Sequence, residues 1–275
     1  MIRIIYISLL ILTCSHLVGQ DHDFLELQKA ENQLEKLFSE LYSDTLPDTE
    51  PVLREIDFFM PEALTMPGAM DYPWSGLSRI GVRSSDDNRI RIFTWHVMDD
   101  PDNYRYFGFI QVGLKNDKME LFSLEDNFSQ QGGVYRAEQT TESWYGKLYY
   151  GIVTKQEKRK TYYTLLGLDF NNSRSNIKSV EVMTILRNKP KFEQEMFFNG
   201  NERVDRVVLE YSNQAAITVR YEPKLDMITF DHLVPIHPVY QNNLEFYGPD
   251  GSFDGLKFEK GAWILQNDVD ARLEY

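Results

Sequence analysis

Four residues near the carboxyl terminus have the types and spacing of the first half of a calcium-binding EF-hand loop. Asp250, Ser252 and Asp254 stand at loop positions one, three and five, and Gly255 follows at position six. In an EF-hand, side-chain oxygens at these positions coordinate calcium, and the glycine allows a sharp turn. This spacing makes Asp250 and Asp254 candidate ligand-binding residues.

The rest of the segment predicts a tight turn rather than an EF-hand. Position twelve needs a bidentate carboxylate but is Gly261, and position eight, usually apolar, is Lys257. The flanking sequences NLEFY and LKFEKGAWILQ have the character of strands, whereas an EF-hand needs flanking helices. We predict a turn in which Asp250 caps the backbone and Gly251 adopts a positive φ, with another type of calcium loop as the alternative.

The stretch FDHLVPIHPVY, residues 230–240, brings two histidines and an aspartate close together in sequence. His232 could act as a general base oriented by Asp231, or His232 and His237 could hold a metal ion together. No third ligand follows from the sequence, and there is no HExxH motif. Asp231, His232 and His237 are therefore candidate catalytic residues, and a purely structural role for the histidines is the alternative.

Two further carboxylates lie close together in the stretch NDVDAR. Asp268 and Asp270 are two residues apart, so a strand would place both on one face, where they could hold a cation or share a proton. Arg272 would lie on the same face and could neutralise them. Both aspartates are candidate ligand-binding residues, with an ion-paired surface ladder as the alternative.

Motifs of several common hydrolase, nucleotide-binding and cofactor-binding folds are absent from the sequence. It contains no G-x-S-x-G nucleophile elbow, no Walker loop and no Rossmann G-x-G-x-x-G. We therefore predict no cofactor and no metal ion. A serine, a histidine and an aspartate could still converge from distant strands, which leaves hydrolysis open.

The elements that position these residues are predicted to be mainly short β-strands. Residues 89–97, RIRIFTWHV, alternate between two faces, and polar turns separate later runs of similar length. The pattern predicts an antiparallel meander of the sandwich, barrel or propeller-like type, interrupted by a polar loop over 125–144. The other predicted strands cover 104–114, 118–124, 147–154, 161–168, 180–186, 192–198, 206–211, 216–221, 227–230, 244–247, 256–258 and 263–266.

One or two helices are predicted to precede the β domain. Leu27, Leu34 and Leu41 recur at intervals of seven within residues 22–43, and a second helix is predicted over 50–64. We expect three parts in the chain. They are a signal peptide over 1–19, a helical region with a Pro/Gly connector over 20–76, and an antiparallel β domain over 77–275.

The amino terminus has the form of a secretory signal peptide. A basic residue, Arg3, precedes an apolar run over 4–13, which is too short to span a membrane. We expect cleavage after Gly19, with a lipoprotein acylated on Cys14 as the alternative. No other segment is apolar enough to cross a membrane. The signal-peptide pattern predicts that the protein is exported to the periplasm or cell envelope.

Composition excludes several classes of function. Cys14 is the only cysteine, so the mature chain would have no disulfide, no thiolate nucleophile and no cysteine-ligated zinc. The formal net charge is −13, with 42 acidic against 29 basic residues. This balance argues against binding to nucleic acid or to an anionic membrane surface.

Five stretches of the sequence resemble an uncharacterised family of exported proteins from Bacteroidota. They are RIRIFTWH, KTYYTLLGLDFNN, TFDHLVP, YGPDGSFDGLKFEKGAWI and DVDAR, and the resemblance covers residues 78–272. It implies an exported, β-rich protein of a bacterium with two membranes. It implies no activity, because none is established for the family, and no functional residue is transferred from it.

Together these patterns favour a non-catalytic binding or scaffold module that displays loops 230–243 and 248–255. An envelope protein or a saccharide would be its partner. The alternative is an exported hydrolase that uses loop carboxylates and His232. An enzyme should bring His232, Asp231 and a third polar group together in a pocket, whereas a binding module should present a groove without that convergence.

Overall fold

The structure, a computed structural model of the chain, describes residues 23–44, 48–116, 118–127 and 138–271. The described residues fall into two compact units. The first lies within Met1–Ile80 and Lys115–Leu121, and the second lies within Gly81–Leu114 and Phe122–Tyr275. The predicted signal peptide with Cys14, residues 128–137 of the polar loop, and Arg272 lie outside the described residues.

The described part of the first unit contains two α-helices. Helix α1 covers residues 23–41 and α2 covers Glu50–Leu64. The leucines spaced by seven, Leu27, Leu34 and Leu41, are all buried because they share one stripe of α1. No helix in the described part of the chain is both long and apolar enough to span a membrane.

A buried glutamate holds the segment that follows α2 in place. Glu31 lies on the inner side of α1, where its carboxylate accepts a hydrogen bond from the Tyr72 hydroxyl at 2.6 Å and from the Gly76 amide at 2.7 Å. The indole of Trp74, also buried, donates to the carbonyl of Ala69 at 2.9 Å. Burial, together with the bond to Glu31, raises the pKa of Tyr72 to about 12. The Pro/Gly connector is therefore an ordered part of the first unit.

The described residues form three β-sheets, whose strands belong to the second unit except for the start of β4. The first sheet has the order β1-β2-β3-β4, the second β11-β7-β6-β5 with β8 added on β7, and the third β10-β9-β15-β14-β13-β12. The pairings given by residue register are antiparallel, except that β15 and β9 run parallel. The strands are β1 Gly81–Ser84, β2 Ile90–Asp100, β3 Asn103–Gly113, β4 Met119–Glu125, β5 Leu148–Glu157, β6 Lys160–Asp169, β7 Ser175–Leu186, β8 Lys189–Phe192, β9 Phe197–Asn199, β10 Glu202–Val204, β11 Arg206–Ser212, β12 Val219–Glu222, β13 Met227–Pro235, β14 Tyr247–Glu259 and β15 Ala262–Gln266.

Two apolar cores lie on opposite faces of the second sheet. One joins β2 and β3 to β6 and β7 and includes Ile92 and Leu165. The other joins β6 and β7 to β13, β14 and β15 and includes Leu166 and Trp263. Neighbouring residues of a strand point to opposite faces, so Leu165 and Leu166 belong to different cores. The predicted fold class, mainly β and antiparallel behind two helices, is confirmed in a layered, sandwich-like form, and no described sheet closes into a barrel.

The predicted turn at Asp250 and Gly251 lies inside a continuous strand. β14 runs through both residues, and its register with β13 shifts between Asp231 and Leu233. Gly251 has φ +91°, as predicted, and Asp250 accepts bonds from the amide and hydroxyl of Ser252. The local turn chemistry is thus accommodated as a bulge opposite β13 rather than as the end of a strand.

Two other predictions about this region have different outcomes. The segment 244–247, predicted as a strand, begins instead with a 3-10 turn over Leu244–Phe246. The strands predicted over 256–258 and 263–266 are confirmed and form a hairpin: Glu259 pairs with Ala262, and Gly261 has φ +85°. Trp263 is fully buried, and its indole donates to the Thr164 hydroxyl at 2.8 Å.

Candidate ligand-binding cleft

An open cleft lies in the second unit where the chain passes from the third sheet to the second. β10 ends at Val204 and β11 begins at Arg206, with only Asp205 between them. β10 is an edge of the third sheet and β11 is an edge of the second. The cleft at this side has a volume of about 450 Å³. Its apolar lining includes Phe197, Val207, Leu209, Phe230, Leu256 and Leu265.

Three ionisable side chains, Glu202, Arg206 and Asp254, interrupt this apolar lining. Nε of Arg206 lies 3.5 Å from Oε2 of Glu181, and both side chains are only 3% exposed. Glu181, which also pairs with Lys147, therefore compensates the positive charge of Arg206 only in part. The two remaining groups are carboxyls, which gives the cleft an acidic character.

Asp254 also connects the cleft to the histidine that the sequence singled out. Nδ1 of His232 lies 2.7 Å from Oδ2 of Asp254, the carboxylate being 12% exposed and the imidazole 45% exposed. β13 and β14 pair Phe230 with Asp254, so the side chains of these two residues lie on one face. The bond to Asp254 raises the pKa of His232, and burial opposes this only in part.

Two more of the predicted carboxylates surround this pair. Asp250 and Asp268 both favour the protonated form of His232 electrostatically and so add to the rise in its pKa. The backbone amide of Asp268 donates to Oδ1 of Asp254 at 3.2 Å, which fixes the second oxygen of that carboxylate. Residues from three separate stretches of sequence therefore form one cluster of His232 and three carboxylates.

The remaining candidates do not join the cluster through any described hydrogen bond. Asp231 accepts from the amide of Thr218 at 2.5 Å. Nδ1 of His237 accepts from the Val239 amide at 3.3 Å and caps the 3-10 turn Pro238–Tyr240. Asp270 is exposed. Among the described residues no group of three or more metal-ligating side chains has the geometry to hold a metal ion.

Sequence reasoning missed a buried charge network beside the cleft. Lys147 is fully buried, and its Nζ lies 3.0 Å from the Glu181 carboxylate that also faces Arg206. The Tyr149 hydroxyl donates to the same carboxylate. Gly167 leaves room for the lysine, because a Cβ there would lie 2.5 Å from Cδ of Lys147. The available signal was a glutamate inside the apolar run VEVM, where a charged residue needs a partner.

Comparison of the chain with protein-family models, with curated proteins and with solved structures gives no match.

The arrangement combines features of a ligand pocket with one feature of a general-base site. The cleft offers apolar contact area with carboxyls beside it, which is the composition of a ligand pocket. His232 has the orientation of a general base, since Asp254 holds Nδ1 and leaves Nε2 for a substrate or water. The nearby Ser252 hydroxyl, however, is donated to Asp250 at 2.7 Å, so the described bonds do not make it a nucleophile activated by His232.

Proposed function

We propose that the protein is an exported binding protein of the bacterial envelope and that its ligand occupies the cleft between β10 and β11. The apolar lining carries this proposal, because an apolar recess of this size on an exposed side of a β-sandwich is suited to hold a ligand. The signal-peptide pattern at residues 1–19 and the resemblance to exported Bacteroidota proteins support the location.

The apolar recess can be tested without knowing the natural ligand. N-phenyl-1-naphthylamine is neutral and fluoresces when it enters an apolar site. We expect saturable binding of one equivalent by the intact protein. Leu209→Trp should abolish it by filling the recess, since Leu209 lines the cleft and its side chain lies on the face that packs against the third sheet. The matched control is Val239→Trp, at a position in the 3-10 turn Pro238–Tyr240 that is 74% exposed and outside the lining.

Two results would contradict the proposal. One is the absence of saturable probe binding by the folded protein. The other is binding that Leu209→Trp and Val239→Trp affect equally. In either case the cleft would not be the ligand site.

Hydrolysis is the second candidate function, and the bond between His232 and Asp254 favours it specifically. Under that alternative, a panel of p-nitrophenyl esters, phosphates and glycosides should reveal a turnover that His232→Ala abolishes. The binding proposal predicts no turnover above that of the His232→Ala control. A reproducible activity lost in the variant would replace the binding proposal with a hydrolase.

A further inference from the structure

We infer that the ligand of the cleft is an extended polypeptide segment, which pairs with the free edge of β11 and adds a strand to the second sheet. This inference rests on the proposed binding function of the cleft and specifies the class of its ligand. Its three supports are the unpaired backbone of β11, the apolar surfaces beside it and the charge of the cleft.

The backbone of β11 faces the cleft at Val208. The amide of Asn213 donates to the carbonyl of Arg174 across the pairing of β11 with β7. In antiparallel strands the hydrogen-bonded residues alternate, so Leu209 and Val207 direct their amides and carbonyls toward β7. Val208 therefore directs both groups the other way. No described strand pairs with that edge of β11.

The two halves of β11 differ in what covers them. Near its carboxyl end, Glu245 of the 3-10 turn Leu244–Phe246 binds Arg174 at 2.8 Å, and the turn contacts β11. The amino-terminal half, from Arg206 to Leu209, lines the cleft instead. Four residues of a strand span about 13 Å, so this half can pair with a segment of about four to six residues.

The side chains beside this edge suit an extended peptide. Val207 and Leu209 point toward the third sheet and pack against the core shared by the two sheets. Phe230 and Leu256 line the cleft from the third sheet. Because side chains alternate along an added strand, every second residue of the ligand would enter this apolar recess. An alternating apolar pattern is thus the expected signature.

Charge specifies a further feature of the ligand. Of the ionisable groups in the lining, Arg206 is buried against Glu181, whereas Glu202 is an exposed carboxylate. Asp254 is neutralised by His232 only while the imidazole is protonated. Above the pKa of His232 the cleft therefore favours a peptide with a lysine or arginine beside its apolar residues.

The experiment is selection of random twelve-residue peptides, displayed on phage, against the intact protein, followed by affinity measurement with synthetic copies of those enriched. We expect enriched peptides that alternate apolar residues, carry a basic residue and displace N-phenyl-1-naphthylamine. Val208→Pro removes only the outward amide, because proline is tolerated at an edge position whose N–H is not in the ladder. It should weaken peptide binding about three- to tenfold relative to Val208→Ala, since one hydrogen bond is lost.

The small apolar probe separates the two proposals. If N-phenyl-1-naphthylamine binds in the cleft but no peptide is enriched, or if glycans from an array displace it, the polypeptide inference is wrong and the binding function stands. If the probe itself fails to bind, the proposed function is wrong. Equal peptide affinities for Val208→Pro and Val208→Ala would also overturn pairing with β11. Should Val208→Pro not fold, peptides N-methylated at single positions test the same bonds, and full tolerance of every methyl group would overturn the inference.

Discussion

Replacing Glu181 should destabilise the protein more than replacing its partner Lys147, although the two form one buried ion pair. Nζ of Lys147 lies 3.0 Å from Oε2 of Glu181, and the side chains are 0% and 3% exposed. Arg206 approaches the same oxygen to 3.5 Å. One carboxylate therefore compensates two buried cations, and the roles of the partners are unequal.

The contacts of each partner set the expected free energies of unfolding. Glu181→Gln removes the negative charge from both cations, and breaking a buried pair in this way costs about 3–5 kcal/mol. Lys147→Met leaves Glu181 with Arg206 and with the hydrogen bonds from Tyr149 and Gln139. It also removes a cation that burial disfavours, since burial lowers the pKa of Lys147 to about 8. We expect a cost below about 2 kcal/mol for Lys147→Met.

Urea denaturation of the purified variants at pH 7 measures this difference. Lys160→Met is the matched control, because Lys160 also pairs with a glutamate, Glu193, but its side chain is 47% exposed. A pair of this kind is worth about 0–1 kcal/mol. The reasoning is refuted if Lys147→Met costs as much as Glu181→Gln, because the carboxylate would then not be held by its other partners.

Three other substitutions test separate parts of the structure. His232→Gln should reduce stability at pH 5.5 and have little effect at pH 8. The folded-state pKa of His232 is raised. The stabilisation of the protein by protonated His232 is therefore complete below the pKa of the unfolded chain and is lost as pH rises through the pKa of the folded protein. The loss, measured by thermal melting at both pH values, should stay below about 1 kcal/mol because the pair is partly exposed, and a larger effect at pH 8 would contradict this sign. Trp263→Ala should cost about 3–5 kcal/mol in urea denaturation, since the indole is fully buried in the core between two sheets; an unchanged midpoint would show that this core is not packed as described. Glu31→Leu should cost about 1–3 kcal/mol by leaving the Tyr72 hydroxyl and the Gly76 amide without their acceptor. Limited proteolysis should then cut the connector over residues 65–76 faster, and an unchanged rate would argue against this anchor.

Sequence periodicity was sufficient to predict the helices and strands that bury one regular face. The leucines of α1 and the hairpin of Trp263 follow from local pattern, because burial there depends on residues close in the chain. The 3-10 turn Leu244–Phe246 was predicted as a strand because its aromatic and aliphatic residues have high strand propensity. A short apolar run is not long enough to show the periodicity that would distinguish a strand from a 3-10 turn.

The candidate site depended on contacts between distant residues. Asp250, Asp254 and Asp268 were chosen for their local spacing, yet what places Asp254 beside His232 is the pairing of β13 with β14. No sequence motif marks the cleft, because ordinary strand residues such as Val208 line it. These residues border a cleft only because β11 is the edge strand of its sheet. The helical pattern likewise predicts Glu31 to face solvent, whereas in the structure the connector covers it.

The exchange rate of one backbone amide tests the central claim most directly. The amide of Val208 faces the cleft, whereas that of Val207 already points toward β7. Hydrogen exchange followed by NMR, with and without a selected peptide, compares the two within one protein. Our account predicts that the bound peptide slows exchange at Val208 by at least about tenfold and changes the rate at Val207 much less. Peptide binding that leaves exchange at Val208 unchanged would contradict it.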